Sequence, residues 1–331
     1  MKTKLLFIFL LVIGLFSAWL GFEYKSALTT PVIAEKSRII EIEKGDSFKK
    51  ITNKLLAHEI TIQPLWFKVI AYEMKVTNKL KAGEYELKPG LNIPEILQVF
   101  VAGKAIQYSI TFPEGWRFKQ ILERIHQNSH LEQTLAEEDY QNIMTLLGSD
   151  YKHPEGLFFP DTYFFDKKTK DIALLKKAYH KMQLVLKEEW QNKAENLPLE
   201  TPYQALILAS IVEKETGAAV ERAQIAGVFT RRLKKGMLLQ TDPTVIYGMG
   251  DAYQGNIRYK DLKQPTTYNT YVIKGLPPTP IAMPGREAIH AALHPAKGKS
   301  LYFVAKGKGT HVFSATLREH NNAVNKYQRK R

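Results

Sequence analysis

The chain has 331 residues, 44% of them hydrophobic and 24% charged, which is room for two folded domains with their own cores. It contains no cysteine, so a disulfide framework, a thiolate nucleophile, Cys-ligated zinc and a lipoprotein attachment site are excluded. The net charge is +14, with thirteen Lys or Arg against three Asp or Glu in residues 259–331; such a surplus suits anionic polymers, a phospholipid surface or nucleic acid, and only location separates them.

Residues 5–22 carry no charge, follow Lys2 and Lys4, and precede Glu23 and Lys25. At 1.5 Å per residue the run spans about 27 Å, enough for a bilayer core. No small-x-small cleavage pattern follows it, since Ser17-Ala18-Trp19 and Lys25-Ser26-Ala27 both fail, so an uncleaved transmembrane anchor is expected rather than a signal peptide. The two lysines place residues 1–4 in the cytoplasm by the positive-inside rule. The rest of the chain is then exported from a single-pass anchor in the cytoplasmic (inner) membrane, which removes nucleic acid from the partners.

Residues 23–37 read as a linker and residues 38–147 as a small modular region. Residues 38–43 alternate as a half-buried strand does; Gly45-Asp46-Ser47 then forms a turn and cap before a helix with Phe48, Ile51 and Leu55. A second helix over 63–73 and a strand over 83–87 complete a strand-helix-helix-strand order. With its GDSF turn this order resembles the LysM module, which holds amino-sugar glycans; the alternative is a small domain that only spaces the rest from the membrane. Shifted by 70 residues, Gly45, Phe48, Lys49, Ile51 and Leu55 fall on Gly115, Phe118, Lys119, Ile121 and Ile125, which predicts a second strand-turn-helix unit. A helix over 93–101 and a polar helical stretch over 132–147 lie around it.

Residues 148–331 carry the chemistry. In residues 153–165, HPEGLFFPDTYFF, Phe158, Phe159 and Tyr163 either stack on sugars beside Glu155 and Asp161 or pack as core. A Lys-rich helix to Trp190 precedes residues 201–217, TPYQALILASIVEKETG. Thr201 caps this helix, Pro202 suits its first turn, Gln204 completes a capping box and Gly217 supplies the stop. It is apolar on nearly every side, hence buried, yet ends in Glu213 and Glu215, where the helix dipole disfavours carboxylates. At 100° per residue the two point about 200° apart. Glu215 lies over Ile211 and Leu208, so desolvation and the helix end should raise its pKa and keep it protonated as a general acid. A packing helix over 219–233 follows. Residues 239–248 crowd Gln240, Asp242 and Tyr247 into a turn, and residues 268–271 (Tyr268, Asn269, Thr270, Tyr271) with 275–281 complete what reads as a binding cleft. His290 and His294, with His311 and His320 after them, evoke a metal, but no HExxH is present and Pro295 ends their helix, so neither metal nor cofactor is expected. Gly307-Lys308-Gly309 looks like a hairpin turn.

The motifs EGLFFPDTY, ASIVEKET, LQTDPTVIYG, YNTY, GLPPTPI, LYFVAKGKGTH and EHNNAV, in this order, resemble the endolytic peptidoglycan transglycosylase family of bacteria. The resemblance implies an α+β protein that cuts glycan strands between N-acetylmuramic acid and N-acetylglucosamine, leaves 1,6-anhydro ends and limits the length of nascent strands. It implies peptidoglycan as substrate, peptidoglycan synthases as partners, no cofactor, and the second glutamate of VEKET, Glu215, as catalytic residue. Thr216 is similar to the hydroxyl partner in the Glu-Ser pair of other lytic transglycosylases. Glu155, Asp161, Thr216, Gln240, Asp242, Tyr247, Tyr268, Asn269 and Tyr271 are the expected substrate-binding residues. The rival readings are a muramidase that uses water and a non-catalytic glycan-binding or scaffolding protein of the envelope.

Overall fold

A computed structural model describes residues 2–307 and 309–329, and in it the chain divides into two compact units. One holds the chain up to Tyr108 together with Phe164–Lys168; the other holds Ser109–Tyr163 and everything from Thr169 onward. The division therefore falls at Tyr108 and not at residue 147, and residues 109–147 belong with the catalytic candidates.

The first unit opens with α1 (Lys2–Thr29), whose 28 residues span about 42 Å and whose apolar stretch has a mean hydropathy of 2.6. It is one helix long and apolar enough to cross a membrane. It runs beyond Phe22, and the expected linker is in part built into the fold: Tyr24, Ala27 and Leu28 pack on the unit's core, and Val32 and Ile33 are buried in it. Apolar side chains at 27–33 would otherwise stay in water, and the core offers them cover. Strands β1 (Arg38–Ile42) and β2 (Gly83–Leu87) pair antiparallel with Ile40 opposite Tyr85, both fully buried. Between them come α2 (Phe48–Ala57), capped by the Ser47 hydroxyl, and α3 (Pro64–Glu73); α4 (Ile93–Ala102) follows with a capping box from Asn92 and Glu95.

The chain passes between the units in β3 (Tyr108–Thr111) and β5 (Thr162–Phe165), which pair with each other. The predicted repeat is present as geometry. Gly45 (φ 92°) and Gly115 (φ 74°) both take the left-handed turn that admits glycine most readily, and α5 (Phe118–His126) buries Phe118, Ile121 and Ile125 much as α2 buries Ile51 and Leu55. The polar stretch over 132–147 is not one helix. It holds β4 (Leu131–Glu132), a single turn at Glu137–Tyr140 and α6 (Ile143–Leu146), because the carboxylate of Asp171 takes the Thr134 and Leu135 N–H groups and fixes an extended backbone there.

In the second unit β6 (Thr169–Lys170) pairs with β4 and leads into α7 (Asp171–Gln191). Helix α8 (Pro202–Glu215) buries every residue from Ala205 to Val212 and packs against α7, α9 (Arg222–Lys234), α10 (Asp242–Met249) and α11 (Arg286–Leu293). Part of the aromatic segment is core: Phe158 stacks on Phe118 at 4.8 Å, and Tyr163, also buried, donates to the Phe159 carbonyl at 2.6 Å, whereas the Phe159 ring is half-buried and Phe164 is exposed. Strands β7 (Tyr302–Gly307) and β8 (Thr310–Ser314) form an antiparallel hairpin before α12 (Leu317–Tyr327); Lys308 of the expected turn lies outside the described residues.

Candidate active site

Thr201 caps α8 as expected, its hydroxyl accepting from the Gln204 N–H at 3.2 Å. The Gln204 side chain, however, reaches Glu200 N–H at 2.6 Å and not Thr201, so the capping box is displaced by one residue. The stop also differs. Gly217 takes no left-handed backbone; Thr216 ends the helix by turning extended (φ −148°, ψ 133°), and its buried hydroxyl accepts from Ala218 N–H at 2.9 Å. Glu215 is thereby the last helical residue.

The two glutamates meet different surroundings. Glu213 accepts the Gly285 N–H at 3.0 Å, and burial raises its pKa. Glu215 is half-buried and accepts a hydrogen bond from the Thr241 hydroxyl. Desolvation pushes its pKa up to about 7; the Thr241 bond and His311 pull it down, while Asp242 adds to the rise. Thr241 is itself held by a buried hydroxyl network, with its N–H on Thr270 Oγ1 (3.1 Å) and its carbonyl accepting from Thr244 Oγ1 (2.8 Å).

Glu215 opens onto a cavity of about 430 Å³, within the roughly 300–1,000 Å³ range of small-molecule sites. Gln240, Asp242 and Tyr271 line it, as expected from the sequence. The stretch that carries the first two is not a plain turn: Pro243 sits in the first turn of α10, where its fixed φ and missing N–H suit a helix start. Gln240 has φ 52°, an uncommon left-handed backbone for a non-glycine, and is held there by Arg232, whose guanidinium reaches the Leu239 carbonyl at 2.9 Å and the Gln240 side chain at 3.3 Å. Tyr271 donates to Asp242 Oδ1 at 2.6 Å.

The other six expected residues do not line this cavity. Glu155 is buried, accepts from Phe118 N–H (2.9 Å) at the start of α5 and from Tyr247 OH (3.0 Å), and burial raises its pKa to about 7. Asp161 is ion-paired with Lys181; burial alone would raise its pKa, but that lysine holds it low. Tyr268 bonds Thr279 at 2.8 Å, and buried Asn269 donates to the carbonyls of Asp261, Leu262 and Gln264. The Thr216 hydroxyl accepts from Ala218 N–H, while the hydroxyl that bonds Glu215 is that of Thr241. Sequence reasoning missed Thr241 and Arg232, though Thr241 lies inside the LQTDPT motif.

His290 and His294 do converge with a carboxylate, Glu189, their ligand atoms all within 4.8 Å. Yet His290 Nδ1 is on Glu189 at 2.9 Å, both His294 ring nitrogens face carbonyl oxygens, and Arg286 holds the other Glu189 oxygen at 2.8 Å. Each group of the cluster thus already has a partner within the protein. The cluster ties α11 to α7.

Comparison with known proteins places this geometry among relatives. Residues 40–326 match the YceG-like family. An endolytic murein transglycosylase of Bacillus subtilis is 33% identical over 93% of this chain and 90% of its own length. One of Streptococcus pneumoniae is 27% identical over 94% of this chain, which spans 62% of that longer protein. A crystal structure of a yceG-like protein from Listeria monocytogenes superposes with a TM-score of 0.57 at 30% identity, covering 87% of this chain and 98% of that one.

Proposed function

The chain belongs to the YceG-like family, and from that membership we infer that it is a membrane-anchored endolytic murein transglycosylase with Glu215 as its acid and base. The carrying observation is a half-buried carboxyl at the end of a buried helix, with its pKa raised to about 7 and a cavity in front of it. A carboxyl so poised is protonated often enough near neutral pH to donate and basic enough afterwards to accept.

Glu215 protonates the oxygen between N-acetylmuramic acid and N-acetylglucosamine, and the bond from C1 to that oxygen breaks. The C6 hydroxyl of the muramic acid attacks C1 and its proton returns to Glu215. A 1,6-anhydro end forms, the carboxyl is reset, and no water is consumed. Cuts inside strands would limit the length that peptidoglycan synthases can build. Gln240, Asp242 and Tyr271 bind the saccharide at the cavity rim, while the β1-α2-α3-β2 unit holds glycan in the manner of LysM. Helix α1 anchors the protein in the cytoplasmic membrane with both units outside.

Asp242 on the same cavity favours one second reading, because ordinary glycosidases need a second carboxylate. Mass spectrometry of murein digested with the protein separates the cases: anhydro ends support the transglycosylase, reducing ends the muramidase, and no cleavage a binding or scaffolding protein.

A further inference from the structure

Glu221 and His311 form a pair that the reaction above leaves unused. Glu221 closes the single turn Ala219–Glu221 after α8, and His311 stands on β8. One carboxylate makes both contacts: Oε1 accepts the His311 backbone N–H at 3.0 Å and Oε2 meets Nδ1 at 2.8 Å, with both side chains about nine-tenths buried. A carboxylate accepts only, so the proton sits on Nδ1 and the ring orientation is fixed. The Phe303 ring, perpendicular at 5.4 Å, packs against it. Nε2 has no hydrogen-bond partner among the described residues, and His311 lines the cavity onto which Glu215 opens.

We propose that His311 is a second substrate-contacting residue of the cleavage reaction, its imidazole held through Nδ1 by Glu221 and hydrogen-bonding through Nε2 to a hydroxyl or the N-acetyl group of the saccharide, so holding the sugar against Glu215. Glu221 is its positioning residue. The proposal rests on the cleavage reading above. The competing role is structural, a tie between the β7-β8 hairpin and the turn after α8. That tie survives in His311→Ala through the backbone N–H, so the side chain can be tested by itself.

The full-length protein is assayed for release of anhydro-ended fragments from murein, with wild type and Glu215→Gln alongside. Loss of one hydrogen bond to substrate should lower kcat/KM of His311→Ala by roughly ten- to a hundredfold with unchanged thermal unfolding, and added imidazole should restore part of it. A folded His311→Ala that cleaves at the wild-type rate overturns the proposal. Where that variant does not fold or is not rescued, Glu221→Gln decides: its amide favours the wrong tautomer, so slowed cleavage at unchanged melting temperature supports the proposal and a normal rate overturns it. A wild type that releases no fragments would instead sink the cleavage reading itself.

Discussion

Two glutamates separated only by Lys214 end α8, and the helix dipole disfavours both as anions. What each meets makes the difference. Glu213 finds a backbone N–H, whereas Glu215 finds a hydroxyl, an acidic neighbour and a cavity. Replacing Glu215 by Gln should therefore reduce cleavage by roughly 10² to 10⁴, the usual loss of general acid-base catalysis. Glu213→Gln, which still offers an oxygen to Gly285, should stay within a few-fold of wild type by the same digest. The folded pKa of about 7 lies above the ordinary 4.5, so the native state keeps a proton that the unfolded chain has released between those values. Stability from this group is full below about 4.5 and lost as pH rises through about 7. Glu215→Gln, neutral throughout, should match wild type near pH 4 and exceed it by on the order of 3 kcal/mol above pH 8 in urea unfolding. Thr241→Val removes the bond that pulls this pKa down, so the alkaline limb of kcat/KM against pH should move upward.

Helix α8 is held by what surrounds it, since its apolar faces need cover on all sides. Ser210, fully buried in mid-helix, donates to the Ile207 carbonyl at 2.7 Å and accepts the Ile281 N–H at 3.0 Å, pinning the GLPPTPI segment to α8. Ser210→Ala leaves that N–H buried and unpaired and should cost about 1–3 kcal/mol in thermal or urea unfolding. Helix α5 has a similar dependence. Its first N–H is taken by the Glu155 carboxylate from 37 residues away, which is why a carboxyl that reads as a sugar ligand serves as a structural acceptor. The alternation of β1, the Ser47 cap and the buried run of α8 were legible because local pattern dictates them. The ends of α8 were less so, because Gln204 and Thr216 each chose among several nearby backbone partners.

At the scale of the molecule, the boundary at Tyr108 changes what a truncation should do. A fragment beginning at residue 148 lacks β3 and α5, which removes the partners of Phe158 and Glu155 and leaves a carboxylate buried without its N–H donor. It should fail to give a cooperative unfolding transition, whereas deletion of residues 1–22 should yield protein that no longer sediments with membranes yet still cleaves murein. A reporter fused after Arg331 should report export; a cytoplasmic signal would reverse the topology.

Composition, the N-terminal apolar run and the helix ending in Glu215 are properties of consecutive residues, and the periodicity of α8 alone separated Glu215 from Glu213. Tertiary structure decided the rest of the site, because it depends on groups far apart in the chain. Thr241 and Asp242 reach Glu215 only when α10 docks on α8, His311 arrives on a late hairpin, and Glu155 and Asp161 are withdrawn to partners that no local pattern encodes. Aromatic residues between turn formers suit a sugar platform or a core equally well, and only tertiary packing, of Phe158 on Phe118, put Phe158 in the core and left the Phe159 ring half-buried.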